Sequence, residues 1–144
     1  MELTFDMDAD SQKITLTELD VFQDMINLVL PEDYRQHMLA NNGGVVEQDD
    51  IEHVNYRGDE FGISYFYPIK YGYDTMENTY ASLNNKIPSG YLAIGVMSGG
   101  GEIIISLNND ATYGNTKSWY EDGTILDLSP SFTDLINDMV EIEE

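Results

Sequence analysis

The chain has 144 residues, with 27 acidic side chains against 6 basic ones, a formal net charge of −21, and no cysteine. That length fits one domain, spanning 1–144, with a self-sufficient core. The charge excludes a nucleic-acid binder working through a basic footprint and disfavours an anionic membrane surface, while the missing cysteines exclude disulfides, thiol catalysis and thiolate metal sites.

The elements follow in chain order. Leu3 to Asp8 alternates apolar and polar residues and predicts a short strand. Thr15-Leu16-Thr17-Glu18 has the form of a capping box. Leu16, Leu19, Phe22, Ile26 and Val29 then recur at spacings of three and four, predicting a helix over 16–28 with one apolar stripe. Pro31 suits the first turn of a second helix over 31–41, which carries Tyr34, Met38 and Leu39 and stops at Gly43-Gly44. Strand patterns run from Val45 to Tyr67. Asp74-Thr75-Met76-Glu77 reads as a second capping box and opens a helix over 75–85, ended before Pro88. Strands are predicted at Tyr91–Met97, Glu102–Leu107, Thr116–Tyr120 and Thr124–Leu128, with turns at Ser98–Gly101 and Asp122-Gly123. Phe132, Leu135, Ile136, Met139 and Val140 predict a last helix over 131–141, capped by Ser129 or Ser131. Strands joined by hairpins, with helices grouped at the ends, read as α+β: four helices packed on a single, mainly antiparallel sheet.

Leu30-Pro31-Glu32-Asp33-Tyr34 followed by Asn41-Asn42-Gly43-Gly44 resembles the "LP..Y…NGG" signature of the SUKH superfamily, the Smi/Knr-like proteins. The glycine turn at Ser98–Gly101, the strands around Ser118–Asp122 and the closing helix with Phe132 follow in the family's order, over residues 14–142. The glycine turn reads Gly100-Gly101-Glu102 where the family has a "GGD"-like sequence, and Glu47–Tyr73 matches no motif. The resemblance implies a compact α+β fold with a mixed, mainly antiparallel sheet. It also implies the role of a bacterial immunity protein that neutralises a polymorphic toxin, often a nuclease. The alternative it carries is a regulatory protein-interaction scaffold with no toxin partner. Leu30, Pro31, Tyr34, Asn42 and Gly43 carry the resemblance and read as structural.

The residues offer little to catalysis. His37 and His53 have no second nitrogen or sulfur ligand at zinc spacing, and His37, in mid-helix, is expected at the surface or its boundary. Asp6-Met7-Asp8-Ala9-Asp10 imitates the start of a calcium loop, but Ser11 and Thr17 occupy the positions that need Gly and Glu. Gly99-Gly100-Gly101 lacks the Lys and Ser/Thr of a phosphate loop. No serine lies in a G-x-S-x-G elbow. No enzymatic activity, cofactor or metal is therefore expected. The N-terminus has neither a basic nor an apolar signal region, and no apolar run is long enough to span a bilayer. A cytoplasmic protein, monomeric or homodimeric, is expected.

The acids remain as the signal. Between Glu47 and Glu60 six acids face Arg57 alone. Tyr56, Tyr65, Tyr67, Tyr71 and Tyr73 lie close by, among ten tyrosines in the chain. Charge runs are commonly solvated loops, and strand tyrosines are commonly half-buried sheet residues. Tyrosine is nevertheless enriched at interface hot spots, and acids beside it suit a basic partner. The predicted contact surface comprises Asp49, Asp50, Glu52, Tyr56, Asp59, Glu60 and Tyr71. Its expected partner is a toxin with a basic surface, and the region around Gly99–Glu102 is the next place to look.

Overall fold

The computed structural model describes residues 5–6, 11–46, 51–54, 60–72, 74–98 and 100–141. Strand β1 (Phe5–Asp6) precedes helix α1 (Leu16–Ile26). The capping box forms as expected: the Glu18 amide donates to Thr15 Oγ1 at 3.1 Å and the Thr15 amide to Glu18 Oε1 at 3.0 Å. Leu19, Phe22 and Ile26 are buried, whereas Leu16 and Val29, expected in the same stripe, are exposed. Leu16 is the first helical residue, and Asn27 turns left-handed (φ 56°) and ends the helix before Val29 can continue its spacing.

Helix α2 (Glu32–Asn41) starts one residue after Pro31, which stands at its N-cap rather than inside its first turn. Tyr34 and Met38 face the core. The left-handed residue that closes α2 is Asn42 (φ 35°), and Gly43 follows at φ 84°. A Cβ on Gly43 would lie 2.7 Å from the carbonyl oxygens of both Phe66 and Tyr67, so only glycine lets the two backbones approach there.

Next come β2 (Val45–Val46), β3 (Ile51–Val54), β4 (Glu60–Phe61) and β5 (Ile63–Phe66), then α3 (Met76–Leu83). The N-cap of α3 is Thr75, whose hydroxyl accepts from the Asn78 amide, so the expected box with Glu77 does not form. Glu77 accepts the Lys70 amide at 3.0 Å instead. Strands β6 (Tyr91–Met97), β7 (Glu102–Ser106), β8 (Thr116–Trp119) and β9 (Ile125–Ser129) follow their predicted spans closely. The Asp122-Gly123 turn closes with the Tyr120 amide on Thr124 O at 3.0 Å.

Helix α4 (Phe132–Asn137) is capped by Ser131 but is shorter than expected. Met139–Glu141 forms strand β10, antiparallel to β3, with Met139 opposite His53. Asn137 and Asp138 are poor helix formers. The β-branched Val140 fits a strand, and β3 supplies an edge for it to pair with.

Among the described residues the single expected sheet is three: a five-stranded antiparallel sheet in the order β5-β6-β7-β8-β9, a three-stranded one in the order β10-β3-β4, and the pair β1-β2. A bridge between Gly44 and Phe66 ties the β2 region to β5. With four helices among the described residues, the chain is an α+β domain. The core centres on β7, where Ile103, Ile104 and Ile105 are each 0% exposed, so both faces of that strand are covered. Phe132 of α4 packs against Tyr34 (ring centroids 5.1 Å), His37 (5.0 Å) and Phe66 (5.6 Å). His37 is thus half-buried among aromatic rings, and burial pushes its imidazole down to about 4.

A candidate acid–tyrosine surface

The segment from Tyr65 to Glu77 is fixed in place by polar contacts as well as by the ends of β5 and α3. Asn42, fully buried, clamps it: Oδ1 accepts the Ile69 amide at 2.8 Å, and Nδ2 donates to Ile69 O at 3.0 Å and Gln12 O at 2.9 Å. The Tyr67 amide extends the sheet by donating to Ile94 O at 3.0 Å, and the Met76 amide donates to Pro68 O at 2.7 Å. Lys70 sits in the left-handed region (φ 65°) with its amide on Glu77, which reverses the chain before α3.

So held, the segment presents three tyrosine hydroxyls, each donating to a carboxylate: Tyr65 to Asp74 Oδ2 at 2.9 Å, Tyr67 to Glu102 Oε2 at 2.6 Å, and Tyr71 to Glu18 Oε2. The sheet register explains the second pair. Tyr65 lies opposite Val96, Val96 opposite Glu102, and Glu102 opposite Trp119, so these side chains form one row on one face. Tyr67, two residues on from Tyr65, shares that face, and the two rings meet edge-on at 5.7 Å.

The pairs differ electrostatically. Tyr71's hydroxyl, then Lys70 and the Thr15 amide, hold the Glu18 carboxyl down at about 2, and Lys70 Nζ lies 2.9 Å from Glu18. This end is locally compensated. At the other end, burial raises the Glu102 carboxyl and the Asp74 charge adds to the rise, while the Tyr67 hydroxyl opposes it. Burial, then the bond to Asp74, pushes the Tyr65 hydroxyl up to about 12, and Tyr67 is raised further still by burial and Glu102. The groups acting on Glu102 are neutral or negative. A half-buried carboxylate in that setting gains from any cation brought to it.

Of the contact residues expected from sequence, Asp49, Asp50, Tyr56 and Asp59 lie outside the described residues. Glu52 falls in β3 opposite Val140, and Glu60 in β4 opposite Val54. Tyr71 belongs to the Glu18–Lys70 cluster. Sequence reasoning did not single out Glu18, Asp74 and Glu102 as its tyrosines' partners. The one available signal was the i, i+2 spacing of Tyr65 and Tyr67, which puts both on one face of a strand. Among the described residues no group of His, Asp or Glu side chains is placed to hold a metal ion, and no helix is long and apolar enough to cross a membrane.

No curated protein matches the chain closely enough to count as a relative. The model of the SMI1 / KNR4 family (SUKH-1), however, matches residues 13–138. That match spans the Leu30–Gly44 signature, the Asn42 clamp, the tyrosine-bearing segment and the five-stranded sheet, and the chain belongs to the SMI1/KNR4 family.

Proposed function

We propose that this protein is an immunity protein: it binds a cognate polymorphic toxin domain, a nuclease being the favoured class, and blocks it without chemistry of its own. The observation that carries this reading is the Tyr65–Tyr67–Asp74–Glu102 surface, where two carboxylates and two tyrosines stand together on a chain of charge −21. A nuclease must hold phosphates, so its cleft presents lysines and arginines. Such a cation, placed beside Asp74 and Glu102, relieves their mutual repulsion. Opposite charge speeds the encounter, and the half-buried Tyr65 face, once covered, slows release, with the buried Tyr67 holding Glu102 in place beneath it. In this reading the acids Asp49, Asp50, Glu52, Asp59 and Glu60, with Tyr56, extend the contact as a steering rim, and Tyr71 borders it. The site of action is the cytoplasm, where the toxin would otherwise reach its target.

The test is co-expression with the toxin domain encoded by the neighbouring reading frame, followed by rate measurements on the pure pair. Reversing Asp74 and Glu102 to Lys should abolish protection and slow association about tenfold or more at low salt. Reversing Asp49 and Asp50 should slow association with a smaller effect on release. Full protection and an unchanged association rate in the folded Asp74/Glu102 double variant would refute the assignment of the surface. Binding to a resident cell protein, with no protection against any neighbouring toxin, would favour the regulatory-scaffold alternative that the same family allows.

A further inference from the structure

Helix α1 buries Leu19, Phe22 and Ile26, yet leaves Val21 63% and Met25 50% exposed. Four positions apart, these two side chains are neighbours on the helix surface. With Thr17, Glu18 and Phe22 they form one wall of an open groove of about 440 Å³, and Ile69, Lys70 and Glu77 form the other. Its lining carries two acids, Glu18 and Glu77, against Lys70, whose ammonium Glu18 already engages. Glu77 takes the Lys70 amide, and Asp24, exposed on α1 and next to Met25 in sequence, lies outside the lining. The last turn of α1 carries no basic residue to offset Asp24.

We infer that this groove is a docking site for an amphipathic helix of the partner protein, one that sets aliphatic side chains on Val21 and Met25 and a lysine or arginine against Glu77. The inference rests on the reading of the chain as a binder of basic proteins and adds a second contact to it. Charge decides the occupant. A second copy would bring another −21 chain to an acidic lining. A wholly apolar occupant would strip water from the lining carboxylates without pairing them. A helix with aliphatic anchors at i, i+3 or i+4 and cations flanking them satisfies both the apolar wall and the acids.

The probe is a helical peptide of leucine and lysine, about 14 residues long with leucines at helical spacing, titrated into the ¹⁵N-labelled protein. Saturable one-to-one shifts at the amides of Val21, Met25, Ile69 and Lys70 are expected. Replacing the leucines by serine, or the lysines by glutamate, should each weaken binding about tenfold or more, as should Val21→Ser with Met25→Ser in the protein. Those two positions are exposed, so the melting temperature of the double variant should match that of the parent. Equal binding of the serine peptide, with shifts scattered over the acidic surface, would overturn the inference in favour of charge alone. Equal binding of the glutamate peptide would overturn the role of the lining acids. A concentration-dependent dimer that the double variant abolishes would assign the groove to a second copy and overturn it as well. The titration needs no toxin. Its failure rejects the groove and leaves the immunity reading standing, whereas failure of the protection assay rejects the immunity reading alone.

Discussion

Asn42→Ala is the most informative single substitution for how the fold presents its surface. The side chain makes a two-point contact with Ile69, accepting from its amide at 2.8 Å and donating to its carbonyl at 3.0 Å, and Ile69 is 1% exposed. Truncation leaves the Ile69 amide buried and unpaired, at about 1–3 kcal/mol, while the Ile69 carbonyl keeps the Tyr71 amide at 2.7 Å. Placing alanine at φ 35° adds about 1 kcal/mol, since only Gly, Asn and Asp visit that region readily. The expected loss is therefore about 3 kcal/mol, or a fall in melting temperature of roughly 6–12 °C for a domain of this size. Urea unfolding gives the free energy, and hydrogen exchange at the Ile69 amide should accelerate by more than the global loss alone requires. Asn42→Asp separates the contributions. It keeps the acceptor and the tolerance of φ > 0, but turns a carboxylate toward two carbonyls. That raises the introduced group's folded pKa, so relative to the parent its stability is best below the unfolded value of about 3.9 and falls as pH rises through the folded value. A loss under about 1 kcal/mol for Asn42→Ala, far below one unpaired buried group plus the backbone strain, would refute the clamp.

Further tests address other parts of the molecule. Gly43→Ala should cost about 2–4 kcal/mol in thermal unfolding, because its Cβ meets the Phe66 and Tyr67 carbonyls at φ 84°. The Glu18 carboxyl should titrate at about 2 by NMR, and Tyr71→Phe should raise it. Since the folded value is depressed, Glu18's contribution to stability is present above its unfolded pKa of about 4.3 and is lost as pH falls toward the folded value. Glu102 should titrate above an ordinary carboxylate, Asp74→Asn should lower it, and Tyr67→Phe should raise it further. Its contribution has the opposite sign, present below its unfolded pKa and lost as pH rises through the folded value. The melting temperature should also rise with moderate sodium chloride, as the Debye length shrinks from about 30 Å at 0.01 M to about 10 Å at 0.1 M. A flat trend would show the acids to be well separated or paired.

What the sequence disclosed was local. The Thr15–Glu18 box, the Ser131 cap, the Asp122-Gly123 hairpin and the seven residues of β6 are each written within a few neighbouring positions. The misses are long-range. Met139 and Val140 satisfy a helical spacing as well as a strand's, and only the free edge of β3 decides between them. The acid–tyrosine surface was legible in kind but not in membership. Tyr67 and Glu102 are 35 positions apart and Tyr71 and Glu18 are 53 apart, and no periodicity links such pairs. Glu18 was legible only as a cap because that role is encoded beside it. Its second role arises when Lys70 and Tyr71 fold back over α1.

The pairing of β10 with β3 bears on how the protein is made. During synthesis β3 must wait for the arrival of Met139 before its partner at His53 exists. At ribosomal speeds that interval is on the order of ten seconds, far longer than the formation of a hairpin. Meanwhile β3 has β4 on one side and an unfilled edge on the other, the condition that invites pairing with foreign strands. The acids that stand in and just before this stretch in the sequence, Glu47, Asp49, Asp50 and Glu52, would repel like chains during the wait. On this view part of the chain's charge protects the nascent polypeptide, before any partner is met.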